Sequence, residues 1–157
     1  MHSQEAKTNG RSPEWKRGFG DKLSRILGKD GVIYAEDELI AYDCDALTGY
    51  RIKPLFVVLP KTADEVSRVL RLCYEEGVPF VPRGAGTGLS GGALPTEEGI
   101  VIALSRMNRI IEVDIPNERV VVEPGVTNLS VTGAVSAYGY YYAPDPSSQI
   151  ACTIGGN

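Results

Sequence analysis

The sequence predicts an α+β fold, and three observations carry the prediction. Apolar residues recur at helical spacing in 15–27 and 63–76, while short apolar runs bounded by Pro and Gly read as strands. Helices and strands also intermix, in the order helix, strand, helix, strand, loop, strand, hairpin, helix. The composition fits one soluble domain: 157 residues, 43% apolar and 23% charged. A net charge of −4 supplies no basic face for a nucleic-acid backbone, so no nucleic-acid partner is expected. No run approaches the roughly 18 apolar residues of a membrane span, and Glu5, Lys7, Arg11 and Glu14 break up the N-terminus. Neither direct membrane insertion nor secretion is expected.

Residues 1–14 are polar, carry Asn9-Gly10 and Ser12-Pro13, and read as a flexible lead-in. Phe19, Leu23, Ile26 and Leu27 mark a helix over 15–27 that stops at Gly28, and a short helix follows over 37–42. Leu55 to Leu59 reads as a buried strand ending at Pro60. In 63–76, Val66, Val69, Leu70 and Cys73 form one apolar face. Thr62 and Glu65 make a reciprocal capping box at the start of that helix, and Gly77 closes its end. Val78 to Val81 reads as a strand entering a glycine-rich loop. Strands follow at 100–104, 109–114 and 119–123, with Pro116-Asn117 turning the last two into a hairpin. A second helix spans 128–138, capped by Thr127 or Asn128 and ended by Gly139. Tyr140, Tyr141 and Tyr142 read as alternating strand residues.

Cys44, Cys73 and Cys152 form no C-x-x-C pair, so they read as small buried apolar residues, with no disulfide or metal site. A reducing, cytoplasmic setting fits. The only histidine is His2, which excludes a Ser-His-Asp hydrolase. Residues 124–157 carry one charged side chain, Asp145, in a chain that is 23% charged. That stretch is expected to be covered by more protein, a ligand or a partner, as though the chain stopped mid-domain.

The loop Val81-Pro82-Arg83-Gly84-Ala85-Gly86-Thr87-Gly88-Leu89-Ser90-Gly91-Gly92 follows a strand directly. Glycine lets successive N–H groups converge on an anion, and a pyrophosphate suits that geometry. Arg83 can add charge or hold the loop's shape, and Thr87 and Ser90 offer hydroxyls. A Walker A loop is excluded, because no lysine follows Lys61. A formal G-x-G-x-x-G exists at Gly86, Gly88 and Gly91, but Gly92, Leu94 and Pro95 stand where a dinucleotide fold of that kind starts a helix.

Three motifs in order then carry a resemblance: P-R-G-A-G-T-G-L-S-G-G-A-L-P at 82–95, Y-A-P-D-P-S-S-Q at 142–149 and T-I-G-G-N at 153–157, with Y-D-C-D at 42–45 upstream. The chain resembles the flavin-binding domain of the vanillyl-alcohol oxidase and p-cresol methylhydroxylase superfamily, and within it the D-subunit family of glycolate oxidases. The resemblance implies the first subdomain of that domain, truncated before the rest of the second, with a helical lead-in at 15–53 and the partial flavin domain at 54–157. It implies FAD as cofactor. Pro82, Arg83, Gly84, Ala85, Gly86, Thr87, Gly88, Leu89 and Ser90 would surround its pyrophosphate; Pro144, Asp145, Ser147, Ser148, Thr153, Ile154, Gly155, Gly156 and Asn157 would line it toward the isoalloxazine. Asp145 equally suits a turn brace. No catalytic residue and no metal ligand is assigned.

The implied activity is oxidation of a small 2-hydroxy acid of the glycolate type to the 2-oxo acid, with electrons passing to flavin. Partner subunits of the E and F type, and membrane association through them, are implied in turn. A D-lactate dehydrogenase-like enzyme and a non-catalytic binding or assembly module are the alternatives. The polypeptide alone is expected to bind FAD weakly or not at all.

Overall fold

The computed structural model describes residues 10–144 and 146–157. Residues 1–9, with His2 and most of the expected lead-in, and Asp145 lie outside the described residues.

Helix α1 (Pro13–Leu27) starts inside the expected lead-in, because Ser12-Pro13 is a helix-start signal. The Trp15 N–H donates to the Ser12 hydroxyl at 3.1 Å, and Pro13 occupies the first turn, where its missing N–H costs nothing. Phe19, Leu23 and Leu27 form the buried face. Strand β1 (Val32–Ile33) is absent from the sequence reading; two residues carry no period to recognise. It pairs antiparallel with β2 (Phe56–Val58). Between them, α2 (Glu36–Leu39) and a 3-10 turn (Ile40–Tyr42) fill the place of the expected short helix.

Helix α3 (Ala63–Glu76) has the expected bounds, with the Glu65 N–H donating to the Thr62 hydroxyl at 3.2 Å and Gly77 left-handed. The Glu65 carboxylate accepts from the Lys61 N–H rather than from Thr62, so the reciprocal bond closes one residue further out. Beyond Gly77, the Val78 N–H returns to the Cys73 carbonyl, a helix-closing bond that delays β3 (Phe80–Arg83) past its expected start.

Strand β4 (Ile100–Ala103) inserts between β2 and β3, parallel to both, giving the order β1-β2-β4-β3. Val101 stands opposite Val57 on one side and Val81 on the other. Alternation along the strands builds two cores. Phe56, Val58, Ile100 and Ile102 meet α1 and α3 through Leu23, Val69 and Cys73, while Val57, Val101 and Ala103 meet Leu39. A strand covered on both faces must be apolar throughout, as β2 and β4 are. The glycine-rich loop therefore leaves the carboxyl end of an edge strand, the end at which open parallel sheets place ligands.

A separate hairpin pairs β5 (Ile110–Asp114) with β6 (Arg119–Val122), with an irregularity between Ile110 and Glu112. Asn117 donates from both its main chain and its side chain to the Asp114 carboxylate, which shapes the turn. Helix α4 (Asn128–Val135) is capped by Thr127 and continues through a 3-10 turn to Gly139. Tyr140, Tyr141 and Tyr142 form no strand, contrary to the sequence expectation. The Tyr142 N–H donates instead to the Thr132 hydroxyl at 3.1 Å, tying the segment to α4.

The hairpin's open end is closed by Glu123, whose carboxylate accepts from the Arg109 main chain at 2.8 Å and from its guanidinium at 2.7 Å. Those bonds hold the Glu123 carboxyl below its ordinary value of 4.5. A carboxyl lowered by folding stabilises the protein fully above its unfolded value and loses that contribution as pH falls through the folded one. Glu123→Gln should therefore lower the melting temperature at pH 7, with the gap to the parent narrowing below about pH 4.5. A gap independent of pH in thermal melts would contradict the pairing.

Candidate functional site

Arg83 is the last residue of β3, and the chain from Gly84 to Gly91 bends without a hydrogen-bonded turn. Among the described residues, the main-chain N–H groups of Gly84, Ala85, Gly86, Thr87, Gly88, Leu89 and Ser90 meet no acceptor. Side chains hold the loop instead. The Arg83 guanidinium donates to the Cys44 carbonyl at 2.6 Å and lies 5.5 Å from the centre of the Tyr42 ring. It also packs under Gly86, whose φ is +73 and where any Cβ would overlap the guanidinium. Of the two roles open to Arg83 in the sequence, this geometry realises the second, holding the loop's shape.

Asp45 anchors the far end of the loop. Its carboxylate, 4% exposed, accepts from the Leu47 N–H at 2.8 Å and from the Ala93 N–H at 3.5 Å. The sequence reading gave Asp45 no role. The bond to Leu47 is an Asx-type turn that residue types could have suggested, but the reach to Ala93 leaves no sequence signal.

The second wall comes from 142–157. Thr153 is buried, and its hydroxyl oxygen is the one buried side-chain polar atom without a partner among the described residues. That oxygen sits against Gly84, where a Cβ would overlap it, and Gly156 lies on its other side. Glycine at 84 thus lets the loop touch the T-I-G-G-N segment. The Ile154 and Gly155 N–H groups donate at 2.9 Å to the carbonyls of Val126 and Pro124. Asn157 donates through its side-chain amide to the Asn128 Oδ1, and Asn128 Nδ2 donates to the Pro144 carbonyl at 3.3 Å. Asn128, 1% exposed, was read only as a helix cap; it links two of the three motifs. The Ser148 carbonyl accepts from the Ala151 and Cys152 N–H groups at 2.8 Å each, a tight turn that leaves Ser147 exposed.

The first amides of α4 are already used, Asn128 N–H by the Cys152 carbonyl and Leu129 N–H by the Gln149 carbonyl. The helix end is therefore closed to an anion, and the free donors lie on the glycine loop. Two clefts lie elsewhere. One of about 220 Å³ is lined by Val120, Val131, Val135, Tyr140 and Ile154, and one of about 1140 Å³ by Lys16, Arg17, Tyr34, Lys53 and Phe56. Of the expected site residues that the structure describes, Ile154 alone borders either of these two clefts. Cys73 is chemically quiet, since burial pushes its thiol up to about 11.

Residues 54–157 match the FAD binding domain family. The chain belongs to that family. Glycolate oxidase subunit GlcD of Escherichia coli (strain K12) is 50% identical over 126 residues, which cover 80% of this chain and 25% of that protein. D-lactate dehydrogenase of Archaeoglobus fulgidus is 42% identical over 138 residues, covering 87% and 30%. A solved structure of p-cresol methylhydroxylase with substrate bound superposes with a TM-score of 0.71 at 26% identity, covering 83% of this chain and 26% of that one. The chain spans 25–30% of the length of these curated relatives. The expected superfamily fold and its cofactor, FAD, are thereby met.

The residues of this FAD binding domain suit the cofactor on structural grounds. A pyrophosphate needs a row of uncommitted donors and close main-chain approach. The loop supplies both, and among the described residues nothing beyond its own chain neighbours lies within 4 Å of a Cβ built on Gly88.

The three glycines should part company in stability. Gly84→Ala and Gly86→Ala each place a Cβ on a protein atom, Gly86 in a left-handed conformation as well, and should cost about 1–3 kcal/mol. Gly88→Ala should be neutral to within about 0.5 kcal/mol. Denaturant unfolding of the three variants checks this; equal losses would contradict the contacts described.

Proposed function

We propose that this chain is the cofactor-holding part of an FAD-dependent oxidoreductase that converts a 2-hydroxy acid of the glycolate type to the 2-oxo acid. The observation that carries the reading is the row of unbonded N–H groups from Gly84 to Ser90, set at the carboxyl end of β3 in an FAD binding domain. Those N–H groups, with the Thr87 and Ser90 hydroxyls beside them, bind the linked phosphates. Pro82, Arg83 and Leu89 belong to the same loop, Arg83 by shaping it. Pro144, Ser147, Ser148 and Thr153 to Asn157 form the wall toward the flavin ring, a neutral surface suited to a flat heterocycle, and Asp145, outside the described residues, belongs to the same stretch of sequence. FAD bound there supplies the two-electron acceptor for the hydroxy acid. The described residues 13–53 serve as the packing base of this domain, because α1 packs against its sheet and β1 pairs with β2.

The glycolate-type substrate rests on the 50% identity to GlcD. A D-lactate substrate is the second reading, favoured by the 42% identity to the Archaeoglobus enzyme. GlcD is by its name a subunit, which supports a multi-subunit assembly, with E- and F-type chains as the partners and any membrane association running through them. No helix among the described residues is long and apolar enough to cross a membrane.

Titration of the 15N-labelled chain with FAD tests the cofactor site even if binding is weak. The amide signals of Gly84 to Ser90 should shift first, and Gly88→Val should abolish those shifts while the α3 signals stay in place. Shifts confined to the cleft beside α1, with the loop amides unmoved, would overturn the reading.

A further inference from the structure

The seven N–H groups meet no acceptor among the described residues because the loop is held by something other than its own backbone, and two of the parts that hold it lie upstream. Between Arg83 and Leu94, two hydrogen bonds among the described residues reach the loop from 42–47: the Arg83 guanidinium on the Cys44 carbonyl, and the Asp45 carboxylate on the Ala93 N–H. They bracket it, one before its first glycine and one after its last. Each is built to be rigid. Arg83 is confined between the Tyr42 ring and the Gly86 main chain, and Asp45 is buried and fixed a second time by the Leu47 N–H. This segment precedes residue 54, where the match to the FAD binding domain family begins.

We propose that Arg83 and Asp45 are positioning residues for cofactor binding, and that the strip 42–47 is the floor on which the anion-binding loop is preset. The inference rests on the assignment of Gly84 to Ser90 to the pyrophosphate. Its content is that neither side chain touches the cofactor. Arg83 spends a guanidinium N–H on the Cys44 carbonyl, and the Asp45 carboxylate, an acceptor, binds main-chain donors. Presetting lowers the ordering cost of the loop on binding, because the loop is fixed before the ligand arrives.

Arg83→Lys separates bracing from direct charge pairing. Lysine keeps a positive charge for a phosphate but lacks the planar fork that bonds Cys44 while lying flat under Gly86. The full chain carrying Arg83→Lys, and separately Asp45→Asn, is compared with the parent in two measurements. Without cofactor, the heteronuclear NOE of the Gly84 to Ser90 amides should fall in both variants while that of α3 is unchanged. With FAD, the titration midpoint from the same amides should rise about tenfold, the scale of one lost charge-assisted bond. If Arg83→Lys binds FAD like the parent, charge rather than shape is what Arg83 contributes, and the proposal is overturned. It is equally overturned if the loop stays rigid in both variants. If FAD shifts amides elsewhere in the parent and leaves the loop unmoved, the cofactor assignment fails, while the NOE comparison still judges the bracing. Should Arg83→Lys not fold, Asp45→Asn decides through the same two readings.

Discussion

Main-chain N–H groups that leave water must find acceptors, and a loop with seven in succession that meet none among the described residues has them available to solvent or a bound ligand. Everything else around the site serves that one condition. An ordinary turn would bond its own carbonyls to its own amides and leave nothing for an anion. Here side chains take over the work of shaping: Arg83 beneath Gly86 at one end, Asp45 against Ala93 at the other. On the proposed assignment, the loop is held by atoms that a phosphate would not need, and those it would need are left without an acceptor among the described residues.

The sheet explains where this happens. Burying β2 and β4 on both faces fixes the parallel core, and β3 at its edge runs directly into the glycine-rich loop. The 142–157 segment then approaches from the side of α4. It uses that helix's first amides for its own carbonyls, which keeps α4 from competing for the anion. Glycine at 84 brings the two walls into contact over the Thr153 hydroxyl. The uncharged composition of 124–157 follows from this packing only in part: Val126, Asn128, Val131 and Cys152 are buried, while Tyr141 and Ile150 stand exposed.

The sequence made some of this legible and hid the rest, for identifiable reasons. Helix α3 was readable because its cap, apolar face and terminating glycine are all local. The hairpin was readable because its turn residues announce it. Strand β1 was hidden because two residues pair through the backbone alone, and the Tyr140–Tyr142 run misled because β propensity in an unpaired segment says nothing about a partner strand. The three cofactor motifs were legible as motifs, from glycine density and from their resemblance to a known family. Their supports were not: a guanidinium bonding a carbonyl 39 residues upstream and a carboxylate spanning 48 residues to Ala93 have no period and no motif. Asn128 shows the same limit, since a helix-capping residue type gave no sign that its side chain would join Pro144 to Asn157.

The most direct test is a crystal structure of the chain grown with FAD. Phosphate oxygens within about 3 Å of the Gly84 to Ser90 nitrogens, with the Arg83 guanidinium still on the Cys44 carbonyl, are the arrangement this account requires. A pyrophosphate seated elsewhere, or those nitrogens turned onto protein carbonyls, would contradict it.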